Sequence, residues 1–178
     1  MISDYLKNSV TRVPDYPKAG IQFRDITSLV ADGRAFAEAV TALAEPYLSQ
    51  AVDKVVGIEA RGFVFGAALA RELGVGLALA RKPGKLPRAT CRETYTLEYG
   101  EDALHMHLDA LEPESRVLLV DDLIATGGTA LAALRLVRQL GASPIGAAFV
   151  IALPELGGLA ALQRQRVATH HLMEFAGE

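Results

Sequence analysis

The sequence predicts an α/β protein built on a doubly wound, mostly parallel sheet flanked by helices. Three observations carry this prediction. Short apolar runs rich in Val, Ile, Leu and Ala alternate with longer stretches of helical period. The runs are apolar throughout, as strands buried on both faces are. Two of them, Lys54–Ile58 and Arg116–Val120, deliver the chain into a small polar turn just before a helix begins.

Along the chain, residues 1–33 read as irregular, punctuated by Pro14, Pro17, Gly20 and Gly33. Arg34 to Ser49 places Phe36, Val40, Leu43, Ala44 and Tyr47 at helical spacing. Lys54–Ile58 is a buried strand, Phe63–Leu73 a helix closed by Gly74, and Gly76–Ala80 a second buried strand. Arg81 to Arg92 is polar, contains Pro83, Gly84 and Pro87, and reads as a long loop. Thr94–Tyr99 and Ala103–Leu108 alternate around Gly100-Glu101-Asp102, a hairpin with Leu104, Met106 and Leu108 on one face. The Arg116 strand follows, then a helix from Ala130 to Leu140 ended by Gly141, and a strand from Ile145 to Leu153. Val167 to Phe175 adds an edge strand.

A length of 178 residues fits one domain, 1–178, with enough bulk for a core. The net charge of −3 argues against a nucleic-acid surface. Cys91 is the one cysteine, so no internal disulfide forms, and a reducing, cytoplasmic setting is the default. Met1-Ile2-Ser3-Asp4-Tyr5 lacks the basic and apolar regions of a signal peptide. The apolar stretch Ile145–Leu162 is broken by Pro154 and Glu155, which excludes a membrane span there.

The most informative stretch is Arg116-Val117-Leu118-Leu119-Val120-Asp121-Asp122-Leu123-Ile124-Ala125-Thr126-Gly127-Gly128-Thr129-Ala130. A buried strand brings two carboxylates and a Gly/Thr-rich loop to one sheet edge. The following helix offers unpaired N–H groups and a positive dipole end. Thr126 and Thr129 add hydroxyl donors, and Gly127-Gly128 let the backbone come close to a phosphate. Acids for vicinal hydroxyls and a loop for a phosphate together describe a ribose 5-phosphate. The loop is not a Walker A motif, because no Gly-Lys-Ser/Thr ends it, and no Gly-x-Gly-x-x-Gly follows a strand. A plain Asp cap and a Gly turn would account for one acid, not two followed by Thr-Gly-Gly-Thr.

Val-Leu-Leu-Val-Asp-Asp-Leu-Ile-Ala-Thr-Gly-Gly-Thr resembles the phosphoribosyl pyrophosphate (PRPP) motif of type I phosphoribosyltransferases. The resemblance implies that family's fold, with a small N-terminal hood (residues 1–33) and a flexible loop and hairpin (residues 81–108). It assigns Ala125, Thr126, Gly127, Gly128 and Thr129 to the 5′-phosphate, and Asp121 and Asp122 to the ribose hydroxyls as catalytic acids. Ile58-Glu59-Ala60-Arg61-Gly62-Phe63 repeats the strand, turn and helix start. Taken alone it is an ordinary helix start with an exposed Arg. Beside the first motif it is similar to the family's pyrophosphate loop, which implies roles for Glu59, Ala60 and Arg61 and a non-proline cis peptide between Glu59 and Ala60. Arg81-Lys82-Pro83-Gly84-Lys85-Leu86-Pro87 resembles the segment whose cations reach pyrophosphate, here Arg81, Lys82 and Lys85, sometimes across a dimer interface.

Leu97-Glu98-Tyr99-Gly100 looks like the loop end of adenine phosphoribosyltransferases, with Glu98 as the candidate general base and Tyr99 near the reacting centre. Gly20-Ile21-Gln22-Phe23-Arg24-Asp25-Ile26-Thr27 resembles the hood segment that reads the purine, which assigns Gln22, Phe23 and Arg24 to adenine. The match runs from about Tyr16 to Gly158 in order. It implies transfer of phosphoribosyl from PRPP to adenine N9, giving AMP and pyrophosphate in purine salvage. Closure of the Pro83–Tyr99 loop would exclude water. It also implies Mg²⁺ held mainly through PRPP and pyrophosphate oxygens, with no residue assigned as a metal ligand, and a homodimer without nucleic-acid or membrane partners. Met106 and Ala152 depart from the family pattern, which commonly has an acidic residue and an Asn there.

His105 and His107, two apart on a strand, lack an evident third ligand and read as a solvated face. His170-His171 reads as surface, and Cys91 as a loop residue open to oxidation. Three rivals stay open: a transferase for another purine or orotate, a PRPP-sensing regulator, and a PRPP synthetase-like kinase. The regulator lacks a basic helical extension, and the kinase lacks a nucleotide-triphosphate site.

Overall fold

The first thirty-three residues carry regular structure in the computed structural model, which describes residues 3–16, 18–97 and 100–176. They form α1 (Asp4–Asn8), an antiparallel ribbon of β1 (Thr11–Pro14) and β2 (Gln22–Asp25), and α2 (Thr27–Ala31). These elements are short and sit between breakers, so no run is long enough to display a period. Packing holds them instead. Leu6 and Leu29 are fully buried beneath α3 (Gly33–Ala44), together with Leu43. That helix stops five residues before its predicted end at Ser49. Pro46 has no N–H to continue the ladder, and Glu45–Tyr47 tightens into a 3-10 turn.

The remaining elements are β3 (Lys54–Ile58), α4 (Gly62–Leu73), β4 (Gly76–Ala80), β5 (Thr90–Leu97) and β6 (Gly100–His107), followed by β7 (Arg116–Ile124), α5 (Gly128–Gln139), β8 (Ser143–Ala152), α6 (Gly158–Arg164) and β9 (Thr169–Glu174). Five strands make one parallel sheet in the order β4-β3-β7-β8-β9. From β3 the chain winds outward to β4, and from β7 it winds the other way to β8 and β9. The direction therefore reverses between β3 and β7, and a crevice opens at their carboxyl ends. Pleating divides the core in two. Val117 and Leu119 enter the layer with α5 and the β5–β6 hairpin. Leu118 and Val120 enter the layer with α3, α4 and the N-terminal elements.

The hairpin differs from its predicted form. Its first strand begins at Thr90, inside the segment read as loop, and Gly100, Glu101 and Asp102 are not the turn. They belong to β6, opposite Leu97, Thr96 and Tyr95. Period-two burial is the cause: Cys91 and Tyr95 face the core while Arg92 and Thr94 face outward, so charged residues fall on the wet side of a strand. Leu104 and Met106 are fully buried, but Leu108 lies beyond β6 and is 55% exposed.

Cys91 is consequently a core residue. Its thiol donates to Met106 O at 3.4 Å, and burial pushes its pKa up, the opposite of a reactive thiol. His105 shares a hydrogen bond with Thr90 Oγ1 at 3.3 Å, and His107 with Arg88 at 3.0 Å. The described residues contain no group of three metal-ligating side chains. His170 and His171 are half-buried, with His170 Nε2 donating to Ala42 O at 3.1 Å. Met106 and Ala152 are fully buried, which accounts for apolar side chains at both positions. Among the described residues no helix is long and apolar enough to cross a membrane.

Leu6 tests whether the N-terminal elements fold with the sheet. Leu6→Ala should lower unfolding free energy by about 2–5 kcal/mol, the range for a buried Leu, in a single urea transition. A separate early transition would show that the segment unfolds independently.

Candidate functional site

Two strand-to-helix turns meet where the sheet reverses. One joins β3 to α4 through Glu59-Ala60-Arg61, with the cis peptide between Glu59 and Ala60. The other joins β7 to α5 through Ala125-Thr126-Gly127. Their separation is set by Gly62, the first residue of α4. A Cβ there would stand 2.7 Å from Asp121 Oδ1 and 2.9 Å from Val120 O, so only glycine lets this helix start rest on β7. Between the turns lies a cleft of about 480 Å³ lined by Glu59, Ala60, Arg61, Lys82 and residues 121–130.

The cleft floor is acidic and buried. Asp121 is 9% exposed and Asp122 6%. Asp121 Oδ1 accepts the N–H of Asp122 at 2.9 Å. Burial, then the neighbouring charge of Asp122, pushes the Asp121 carboxyl well above the usual carboxylate range. Asp122 instead has a counter-ion: Arg61 Nε lies 2.8 Å from its Oδ2.

Three cations near this floor, Arg61, Arg81 and Lys82, are already paired. Arg81 grips Glu59 at two points, Nη2 to Oε1 at 2.9 Å and Nε to Oε2 at 3.3 Å. Glu59 Oε2 also accepts the Lys82 N–H at 2.7 Å. Burial, the largest single influence, would raise the Glu59 pKa, but the Arg81 guanidinium, the Lys82 N–H and the nearby Lys85 charge together outweigh it and the net direction is down. Lys82 reaches from the cleft to the hairpin, where its ammonium meets the Asp102 carboxylate and the Tyr95 hydroxyl. Burial opposes its charge, and these two partners more than restore it. Arg81 and Lys85 do not line the cleft; Lys85 is exposed, and its carbonyl accepts from Arg81 Nη1 at 3.2 Å.

At the other end, Gly127 sits at φ +85° and caps α5. The first-turn N–H groups of that helix have no intrahelical acceptor, and its dipole adds positive charge where Thr126 and Thr129 line the cleft. The arrangement suits a dianionic phosphate.

A second cavity of about 480 Å³ shares Arg61, Leu123 and Thr126 with the first. Gln22, Phe23 and Arg24 from β2 line it, facing Leu123, Leu153 and Leu156. Tyr16 meets Phe23 edge-on at 5.1 Å, and the Arg61 guanidinium lies 5.5 Å from the Phe23 ring. The Arg24 guanidinium stacks over Phe175 at 4.6 Å. A flat apolar ring system fits between these walls. Glu98 and Tyr99 lie outside the described residues.

Several lining or supporting residues escaped the sequence reading: Tyr16, Gly62, Tyr95, Asp102, Leu153, Leu156 and Gly158. Leu153 follows a strand that ends at the same sheet edge, a position that could have marked it. The others are brought in by packing and carry no local signal.

The phosphoribosyl transferase domain family matches residues 27–159. The adenine phosphoribosyltransferase of Yersinia enterocolitica is 54% identical over 173 residues, covering 97% of this chain and 92% of that protein. The adenine phosphoribosyltransferase structure from Thermoanaerobacter pseudethanolicus superimposes with a TM-score of 0.92 at 42% identity, covering 97% of this chain and 99% of that one. The Saccharomyces cerevisiae enzyme, in complex with adenine and an imino-altritol bisphosphate, superimposes with a TM-score of 0.89 at 38% identity, covering 95% and 97%. With its acid pair, its anion loop and its cation-bearing turn in one crevice, the chain belongs to the phosphoribosyltransferase family, among the adenine phosphoribosyltransferases.

Proposed function

We infer that this protein transfers the 5-phosphoribosyl group of PRPP to N9 of adenine, releasing pyrophosphate and forming AMP in purine salvage. One observation carries the reading: a buried acid pair flanked by an anion loop and a cationic turn opens directly into an apolar, base-sized cavity through Arg61, Leu123 and Thr126. The relatives' names point the same way.

In this reading residues 125–129 hold the 5′-phosphate, and Asp121 and Asp122 hold the ribose hydroxyls. Glu59, Ala60, Arg61, Arg81, Lys82 and Lys85 serve the pyrophosphate. Gln22, Phe23 and Arg24 receive the adenine. Departure of pyrophosphate leaves positive charge at C1′, which nearby carboxylates stabilise. Arg61 is paired with Asp122 before substrate arrives. A diphosphate competes for that guanidinium, and the released carboxylate then accepts from the ribose. The N9 proton passes to Glu98, with Tyr99 beside it, directly or through water. Residues 1–33 act as a hood within one transferase domain, and closure of the segment from Pro83 into the β5–β6 hairpin keeps water out.

Two neighbouring carboxylates with no third ligand nearby suit a Mg²⁺ ion held chiefly by substrate oxygens, with Asp121 and Asp122 as its protein partners. When bound, the ion neutralises charge on the departing pyrophosphate. A homodimer belongs to the same proposal, supported by the basic segment after β4 that in this family reaches pyrophosphate, sometimes across an interface. A cytoplasmic setting is supported by the single, buried cysteine.

Incubation with PRPP, Mg²⁺ and each nucleobase in turn should give a nucleotide with adenine at the highest kcat/KM. A preference for hypoxanthine or orotate would refute the assignment. Asp122→Asn should cut kcat roughly a hundredfold or more while the melting temperature stays close to wild type. Near-normal turnover would remove Asp122 from the chemistry.

Asp121 yields a pH prediction. Because its pKa is raised on folding, its stabilising contribution is complete below the ordinary carboxylate pKa and is lost as pH rises through the folded value. Across that window the unliganded wild type should lose melting temperature relative to Asp121→Asn. Parallel curves would mean that the carboxyl titrates normally.

A further inference from the structure

Ala125 and Gly127, on which the phosphate reading rests, are backed by a segment far along the chain. After β8 the chain turns beneath the loop: Leu153 N–H donates to Ile124 O at 2.9 Å, and Gly158 N–H donates to Ala125 O at 2.9 Å. Gly158 meets the loop with no side chain between the two backbones. A Cβ on Gly158 would lie 2.4 Å from Ala125 O and 2.8 Å from Gly127 N. From the opposite side, a Cβ on Gly127 would lie 2.9 Å from Gly158 Cα. A third contact, Ile124 Cγ1 at 2.8 Å, belongs to a buried side chain, but the other colliding atoms are main chain, and no rotamer change relieves those.

Neither partner is free to retreat. The loop is held before it by buried Ile124 and after it by Leu131 N–H donating to Gly127 O at 2.8 Å. The start of α6 is held by Leu162, fully buried, and by Leu159, packed on the same core layer. Gly157 next door is different: it has φ +81°, but a Cβ there would touch nothing within 4 Å.

We propose that Gly158 is a positioning residue for transfer. It touches no substrate, yet its bare backbone sets where the amides of residues 125–129 stand and so how tightly the 5′-phosphate is held. Hydrogen bonds from those amides weaken steeply with small displacement and misalignment. A methyl group at Gly158 pushes the loop toward the cleft and spoils that fit. The pyrophosphate turn, on the far side of Asp122, is left as it was. The proposal rests on the phosphoribosyl reading of the site.

The test compares Gly158→Ala, Gly157→Ala and wild type by titration with ribose 5-phosphate and with pyrophosphate, and by steady-state kinetics. Gly158→Ala should weaken ribose 5-phosphate binding and raise the KM for PRPP by roughly ten- to a hundredfold. Pyrophosphate affinity and the KM for adenine should not move, and Gly157→Ala, strained by its φ of +81° but adding no contact with the loop, should lose stability without selective loss of ribose 5-phosphate binding. A general loss of folding would lower the active fraction without this selectivity. Unchanged ribose 5-phosphate affinity in folded Gly158→Ala overturns the proposal, as does equal weakening of both ligands. Should Gly158→Ala not fold, Leu159→Ala loosens the seat of α6 without adding bulk. Selective weakening of ribose 5-phosphate then supports the proposal, and its absence overturns it. Failure of wild type to bind ribose 5-phosphate at all refutes the phosphoribosyl reading itself, and this proposal with it.

Discussion

The contact between Gly62 and Asp121 is the constraint on which the crevice depends. It lets a helix start lie directly against the strand that carries both acids, with main-chain and carboxylate atoms nearer than a methyl group would allow. The β3–α4 turn therefore lies directly against β7, close enough for Arg61 to reach Asp122. The same device recurs on the other flank, where Gly158 lies bare against Ala125 and Gly127. β7 and the loop that follows it are thus flanked by backbone from both neighbours in the sheet order: Gly62 of α4 lies against Val120 and Asp121, and Gly158 of α6 against Ala125 and Gly127. Rigid, close-packed main chain is the physical basis for precise placement of phosphate-binding amides.

Charge at the site is compensated before any ligand arrives. Arg61 neutralises Asp122, Arg81 is locked to Glu59, and Lys82 is shared by Asp102 and Tyr95 of the hairpin. Asp121 has no ion pair among the described residues, and burial together with the neighbouring Asp122 charge makes its carboxyl resist ionisation. Under the proposed function, a polyanionic substrate would not fill an empty cationic bowl; it would exchange partners with carboxylates already in place. Each exchange replaces one charge-assisted bond by another, so the cost of desolvating the cations is met at folding and not at binding. The pairing of Lys82 with Asp102 also ties the cleft to β6, the strand that pairs with β5 in the hairpin.

The base cavity rests on different physics. Its walls are Phe23 and Tyr16 on one side and Leu123, Leu153 and Leu156 on the other, contributed by the N-terminal ribbon and the sheet edge. Leu6 and Leu29 seat that ribbon's neighbours on the main core. This cavity is therefore coupled to the seating of the N-terminal segment, whereas the cleft around Asp121 and Asp122 is built from the main sheet.

Strong local signals could be read without coordinates. The strands β3, β4, β7 and β8, the β3–α4 and β7–α5 turns, and the acid pair with its loop all follow from apolar runs and glycine punctuation, because burial leaves a pattern within a few residues. The start of β5, Thr90–Arg92, and elements too short to show a period, such as α1 and β2, read as loop or irregular chain, since their order comes from partners distant in sequence. The ion pairs of Arg61 and Lys82, the depth of Asp121, the leucine wall and the Gly158 brace were beyond any local reading. Each is a contact between residues far apart along the chain, created only when the sheet brings its carboxyl ends together. Local pattern was enough to name the parts of the site; their distances, charges and mutual restraint come from tertiary packing, because free energies of burial and pairing depend on neighbours that no window of sequence contains.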